Sequence, residues 1–289
     1  MLYFDRIITH RIYQNGLIFG IKKPLANYVI YFSGPSSSKP FSALSTNSIS
    51  GIDFLEKTQS LPLYRYTAKG ECINNITDWG LSQFITYYND GEITKDAIFQ
   101  YVYAVLHNPA YRKKYELNLK RDFPRVPFYK DFRKWANWGK ELMELHIQYE
   151  NANPFPLQQQ ISIVKAEAKR QKELFVNAAE PESMFARQPK VRVKLNADKD
   201  TGIIELDELT SLTVVPKEAW NYKLGNRSAL EWVLDQYKEK RCKDPTIEEK
   251  FNTYKFADYK DKVIDLLKRV CTVSIETSRI IDEMKQAPI

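Results

Sequence analysis

Lys130-Asp131-Phe132-Arg133-Lys134-Trp135-Ala136-Asn137-Trp138-Gly139-Lys140-Glu141-Leu142-Met143-Glu144-Leu145-His146-Ile147-Gln148-Tyr149-Glu150 sets Trp135, Trp138, Leu142, Leu145 and Tyr149 at alternating spacings of three and four. That period gathers them on one side of a helix as a packing stripe. Upstream, the helical period begins near Thr77, and Thr94 can cap a helix with Ile98, Val102, Val105 and Leu106 on one face. Asn108-Pro109 should end or kink that helix, because proline lacks the N–H and crowds the preceding turn.

Before Thr77 the pattern is that of strands. Leu17 to Lys22 and Tyr28 to Ser33 are short β-branched and aromatic runs joined by a hairpin-length connection, Lys23 to Asn27. Pro35-Ser36-Ser37-Ser38-Lys39-Pro40 interrupts as an exposed loop, and Leu61 to Tyr66 resumes the strand pattern.

After Glu150, Asn151 to Gln160 reads as a linker, and a polar helix is expected from Ile161 to about Asn177. Val191, Val193 and Leu195 alternate with Arg192 and Lys194, a strand with one basic face. A turn over Asn196 to Gly202 returns the chain as Ile203 to Leu206. Pro216 opens a short helix through Trp220, and Ser228-Ala229-Leu230-Glu231 has the form of a capping box. A last helix from about Asp258 carries Val263, Leu266, Val270, Val273, Thr277, Ile280 and Met284 at heptad-like spacing. The fold expected is therefore α+β: a β-rich part over 1–75, a helical aromatic-rich part over 76–150, a linker and polar helix over 151–187, and a β-hairpin with C-terminal helices over 188–289.

A chain of 289 residues that is 43% hydrophobic and 13% aromatic can bury a sizeable core, so it is a folded protein. No apolar run approaches the roughly 20 residues that span a bilayer, and Met1 to His10 lacks the form of a signal peptide, so a cytoplasmic protein with no membrane partner is expected. Cys72, Cys242 and Cys271 are odd in number and far apart, which suggests neither a disulfide framework nor a zinc site.

The net charge of +7 is local. Ten lysines and arginines stand between Arg112 and Lys140 against Glu116, Asp122 and Asp131, a difference of +7 in that stretch alone. Tyr111, Tyr115, Phe123, Phe128, Tyr129, Phe132, Trp135 and Trp138 are threaded through it, and cations mixed with planar rings suit a phosphate backbone. Within this run, Arg121-Asp122-Phe123-Pro124-Arg125-Val126-Pro127-Phe128 has two prolines that fix an extended backbone. Two readings stand together: a rigid strut presenting guanidinium groups to phosphates, or a connection whose Phe123, Val126 and Phe128 plug the core while its arginines pair with carboxylates.

Catalytic motifs are absent. His10, His107 and His146 have no ligand spacing, Asp207 and Glu208 lack the setting of a hydrolytic pair, and there is neither a phosphate-binding loop nor a Gly-x-Ser-x-Gly turn. Asn108-Pro109-Ala110-Tyr111 resembles the Asn-Pro-Pro-Tyr tetrapeptide of adenine-N6 methyltransferases. It follows a helical stripe, however, with no glycine-rich turn nearby to hold a cofactor, and a helix break is the plainer account.

Three phrases taken in order carry a broader resemblance. Ile98-Phe99-Gln100-Tyr101-Val102-Tyr103-Ala104-Val105-Leu106-His107-Asn108-Pro109-Ala110-Tyr111-Arg112, then Arg121 to Phe128, then Tyr222-Lys223-Leu224-Gly225-Asn226-Arg227-Ser228-Ala229-Leu230-Glu231-Trp232 resemble the C-terminal specificity region of type ISP restriction-modification enzymes. Those polypeptides join nuclease, helicase, adenine-N6 methyltransferase and target-recognition parts. The resemblance runs from near Phe4 to near Met284. It implies a module that docks on double-stranded DNA and selects the sequence to be modified or cut, with the catalytic parts upstream in the same or a separate chain. S-adenosylmethionine, ATP and magnesium are then expected only on those parts, and this chain is expected to be a cut fragment or a split-gene product with no catalytic centre of its own.

The backbone-contact candidates are Arg112, Lys113, Lys114, Lys120, Arg121, Arg125, Arg133 and Lys134. Base-reading candidates lie in less regular segments: Lys22, Asn27, Ser36, Ser37, Ser38, Lys39, Asn47, Arg65, Arg192 and Lys194. Two other functions remain open at this point, a compact adenine methyltransferase using Asn108 to Tyr111 and a protein-interaction module with a basic face.

Overall fold

Thr77 and Thr94 open the first two described helices, α1 (Asp78–Tyr88) and α2 (Lys95–His107). Each hydroxyl accepts the N–H three residues on, from Gly80 at 3.1 Å and Ala97 at 3.2 Å, and so satisfies an amide that the first turn leaves unpaired. Asn108 does the same for α3 (Pro109–Lys114), taking the Tyr111 N–H at 2.9 Å. The chain therefore restarts at Asn108-Pro109 as a new helix, since proline fits the first helical position. A single turn, α4 (Glu116–Leu119), precedes an extended segment, and Asp131 caps α5 (Phe132–Ile147). The structure, a computed structural model, describes residues 18–19, 26–51, 54–67, 69–162, 167, 191–240 and 254–287.

Contacts divide the chain into two units, neither continuous in sequence. The first comprises residues 1–149, 223–226 and 276–289. Its sheet is antiparallel, with β1 (Val29–Phe32) between β2 (Ala43–Thr46) and β3 (Gln59–Pro62). All four β1 residues are buried, which explains a continuous apolar run there in place of alternation. A smaller ribbon pairs β4 (Tyr64–Tyr66) with β5 (Cys72–Asn74). Against the sheet lie α2 and α5, which bury Tyr101, Tyr103, Val105, Leu106, Trp135, Trp138 and Leu142. Each such side chain contributes about 1.5–3 kcal/mol on leaving water. At the α2–α5 crossing a Cβ on Gly139 would collide with the Gln100 carbonyl, so glycine is required there.

The second unit comprises residues 150–222 and 227–275. Its four-stranded antiparallel sheet runs β6-β9-β8-β7, from β6 (Gln158–Ile161), β7 (Val193–Asp198), β8 (Ile203–Asp207) and β9 (Thr210–Thr213). Helix α6 (Ala229–Gln236) carries the capping box in full, with Ser228 Oγ and Glu231 each meeting the other's backbone N–H. Leu195, Ile204, Leu206, Leu212, Trp220, Leu230, Phe256, Val263 and Leu267 form the core. Helix α7 (Lys260–Lys285) gives residues 260–275 to this unit and its last turns to the first.

The α+β class is observed, with open antiparallel sheets and a strand-rich first part. Two local expectations are corrected. Gln158 to Ile161, read as linker and helix start, is the edge strand β6, paired with β9 from Gln158 opposite Thr213 to Ile161 opposite Thr210. Of the expected strand Leu17 to Lys22, Ile18 and Phe19 have helical backbone, and the other four residues lie outside the described residues. So do most of the expected polar helix, Cys242, His10 and Lys22.

Candidate nucleic-acid interface

Residues 123–129 belong to no helix or strand, so their backbone groups need partners from elsewhere. Tyrosines supply them. Tyr111 OH donates to the Arg125 carbonyl at 3.0 Å, Tyr101 OH to the Pro127 carbonyl at 2.7 Å, and Tyr88 OH to the Tyr129 carbonyl at 2.6 Å. The Tyr129 N–H in turn donates to Tyr101 Oη at 2.7 Å. Burial raises the pKa of all three phenols, Tyr111 to about 12, so each stays a protonated donor near neutral pH. Two prolines and these four bonds hold the segment as a strut.

With its carbonyls fastened inward, the strut turns other side chains outward. Arg121, Arg125 and Lys130 are exposed, and none forms an ion pair with a described residue. Val126 packs on the core, but Phe123 is 53% exposed with its edge on Phe32, and Phe128 is 37% exposed and stacked on Tyr87 with centroids 4.5 Å apart. The pairing of these arginines with carboxylates, one of the two sequence readings, is not observed among the described residues.

The other phosphate candidates separate sharply. Arg112 is half-buried, with Nε donating to the Leu106 carbonyl at 2.6 Å and its guanidinium 5.7 Å from the Phe41 ring centre. Arg133 forks onto Asp90 at 2.9 and 3.0 Å and reaches Glu92 at 2.8 Å, hydrogen bonds that raise its pKa. Lys120 pairs with Glu116 at 3.0 Å. Lys113 is exposed, while the exposed Lys114 and Lys134 lie over Tyr115 and Trp138 at 5.4 and 5.0 Å.

Among the base-reading candidates, Asn27 is 3% exposed: it donates to the Ile18 and Tyr64 carbonyls and accepts the Tyr64 N–H, a clamp between segments and no longer a group that can reach a ligand. Ser37 is likewise buried, its hydroxyl given to Glu56. Ser36 and Ser38 are exposed and Lys39 is partly so; Asn47 is exposed and accepts from Ser48, and Arg65 is exposed on β4. In the second unit Arg192 is exposed and Lys194 pairs with Glu205 at 2.8 Å.

The fold brings the Ser36–Lys39 loop to the strut. Ser36 N–H donates to the Lys120 carbonyl at 2.8 Å, immediately before Arg121. The Gly225 N–H donates to Ser42 Oγ at 2.6 Å, and Gly225 sits against the Lys39 stem, which adds exposed Lys223 and Asn226 to the same neighbourhood. These two and Glu56 were missed from the sequence. Gly225-Asn226 is a turn signal there, but nothing local joins it to residues near 40.

The tetrapeptide Asn108 to Tyr111 cannot grip a base as folded: Asn108 is 0% and Tyr111 1% exposed, and the asparagine oxygen is spent on the cap. His107 and His146 are buried as well. His146 Nδ1 lies 2.6 Å from Tyr103 Oη and its Nε2 lies 3.0 Å from Thr277 Oγ1. Among the described residues no cluster of three acidic, histidine or cysteine side chains could hold a metal ion, and no helix is long and apolar enough to cross a membrane.

Over residues 1–266 the sequence matches the family model of the Type ISP C-terminal specificity domain. The chain belongs to that family. A region of the DrdV–DNA complex solved by cryo-EM is 49% identical with a TM-score of 0.86, over 100% of this chain and 27% of that one. The nuclease-deletion mutant of the Type ISP restriction-modification enzyme LlaGI, in complex with a DNA substrate mimic, is 27% identical with a TM-score of 0.68, over 96% of this chain and 22% of that one. The ATP-dependent Type ISP enzyme LlaBIII bound to DNA shares the fold at 24% identity and a TM-score of 0.68, over 96% of this chain and 17% of that one. This specificity domain thus spans between 17% and 27% of the length of those proteins. No curated protein matches it.

Proposed function

We propose that this specificity domain is the double-stranded DNA target-recognition module of a restriction-modification enzyme, without catalysis of its own, and that S-adenosylmethionine, ATP and magnesium are bound by other parts of that enzyme. One observation carries the reading: Arg121 and Arg125 stand unpaired among the described residues on a tethered strut, next to a polar loop with exposed Ser36 and Ser38. The strut cations neutralise phosphates and set orientation, and the loop reaches toward base edges. The DNA complexes of the related enzymes and the +7 charge of the chain agree with it.

Titration of duplex DNA by fluorescence anisotropy at two salt concentrations tests this. Binding is expected to weaken with salt with a log–log slope of about 0.9 per phosphate contact. Binding indifferent to salt, or no binding at low salt, overturns the reading. Saturable binding of S-adenosylmethionine to the chain alone, by calorimetry, would overturn the non-catalytic assignment.

A further inference from the structure

We propose that Glu56 is a positioning residue for target recognition, its carboxylate fixing the shape of the loop from Gly34 to Pro40 that meets the DNA. This rests on the target-recognition reading above. Three donors from three consecutive residues converge on this one side chain. Ser37 Oγ donates to Oε2 at 2.6 Å, the Lys39 N–H reaches the same oxygen at 3.2 Å, and Ser38 Oγ donates to Oε1 at 2.8 Å. The Ser37 bond first and the Ser38 bond second draw the carboxyl down to about 2, so it is an anion wherever the protein would meet DNA.

The clasp closes from the other side as well. The Gly34 N–H donates to the Glu56 carbonyl at 3.4 Å, and Lys57 Nζ donates to the Ser36 carbonyl at 2.9 Å. Ser36, Glu56 and Lys57 have φ of 62°, 64° and 52°, a region that residues other than glycine seldom occupy. A Cβ on Gly34 would collide with the Lys57 carbonyl, so the two turns nest only because residue 34 is glycine. Such strain persists where surrounding bonds over-determine it.

A carboxylate on a surface meant for a polyanion repels its ligand, which makes its presence here informative. Its acceptor capacity is directed into the loop, and the loop has no helix or strand to hold it. A reading group must be held to a fraction of an ångström to discriminate bases, and Glu56 supplies the tie that secondary structure does not. What then faces outward is Ser36 and Ser38, with Lys39 at the rim and Arg121 beside them.

The test uses the full 289-residue chain and a duplex library with a randomised core, carried through rounds of binding and sequencing. Wild type is expected to enrich one sequence. Glu56→Ala should hold unselected duplex within about twofold of wild type yet lose about tenfold or more in discrimination between the enriched sequence and its single-base variants. Glu56→Gln should restore discrimination, because its amide can accept from Ser37 and the Lys39 N–H while donating to Ser38 Oγ. A Glu56→Ala chain that discriminates as wild type does overturns the proposal, and a Glu56→Gln chain that fails to restore it overturns the hydrogen-bond account. If circular dichroism shows Glu56→Ala unfolded, Ser37→Ala decides, because its buried hydroxyl bonds Glu56 and does not face the DNA: lost discrimination supports the proposal, and discrimination equal to wild type overturns it. A wild-type chain that binds duplex with no preference overturns the target-recognition reading, and this proposal falls with it.

Discussion

Asn108 to Arg112 and Arg121 to Tyr129 come from one basic, aromatic run, yet the first segment engages its polar side chains with its own backbone and the second turns its cations out. In the first, side chains satisfy nearby backbone: Asn108 caps Tyr111, and Arg112 donates to the Leu106 carbonyl. In the second, tyrosines from α1, α2 and α3 satisfy the backbone from a distance, and Arg121 and Arg125 stay exposed with no ion pair among the described residues. Arg112 and Arg121 are the same residue type nine positions apart, and composition cannot tell them apart. What decides is which group answers the neighbouring carbonyls.

The most damaging way to break this contrast is Tyr101→Phe. The hydroxyl it deletes serves both the Pro127 carbonyl and the Tyr129 N–H, at 2.7 Å each. Each buried backbone group left without a partner costs about 1–3 kcal/mol, so a loss near 3 kcal/mol is expected in urea unfolding. A loss below about 1 kcal/mol would mean that the prolines hold the strut unaided.

Acid should act next, through the two histidines buried near the Arg112 charge. Burial first, then the Arg112 charge, pushes His146 down to about 3, and the same causes in the same order hold His107 well below 6.5. A histidine whose pKa is lower in the folded than in the unfolded chain takes up its proton on unfolding. Stability is therefore complete above about 6.5 and is lost as pH falls from there toward 3. His146 alone should cost about 2 kcal/mol between about pH 7 and about pH 5, with His107 adding in the same direction. The Glu56 carboxyl, lowered from 4.5 to about 2, adds its loss only below 4.5, so urea midpoints taken in the higher window isolate the histidines. A flat profile there would mean that the imidazoles are not enclosed.

How much of this could be read from the chain follows the distance between partners. The Ser228–Glu231 box, the Thr94 cap and the Val193–Asp207 hairpin were legible because their partners are neighbours in sequence or joined by a short turn. Strand β6 was not: all four of its side chains are exposed, so no apolar period marks it, and its pairing partner lies about fifty residues on. Asn27 was misjudged for the same reason, since its clamp partner is Tyr64, 37 residues away. The basic run was visible, but which cations were engaged depended on Asp90 and Glu92 for Arg133, 43 and 41 residues distant.

For the second segment, the Arg121→Ala/Arg125→Ala pair should lower the salt slope of duplex binding by about 1.8 and weaken binding about tenfold at low salt. Arg112→Ala should leave the slope where it is while lowering stability, because its guanidinium is held by the Leu106 carbonyl and Phe41. Equal slopes for the pair and for wild type would remove the strut from the interface.

The smallest effect expected is the most discriminating. Arg133 lies in the same charged run and is largely exposed, so composition places it with Arg121; its three hydrogen bonds to Asp90 and Glu92 place it with Arg112. An exposed ion pair contributes little to stability, and Arg133→Ala should barely move the unfolding midpoint. It should also leave the salt slope of DNA binding unchanged, because two carboxylates already neutralise the guanidinium and would repel an approaching phosphate. If the slope instead falls by about 0.9, one phosphate contact has been lost. The fork onto Asp90 would then have to open on DNA, and the division between engaged and available cations would describe only the free protein.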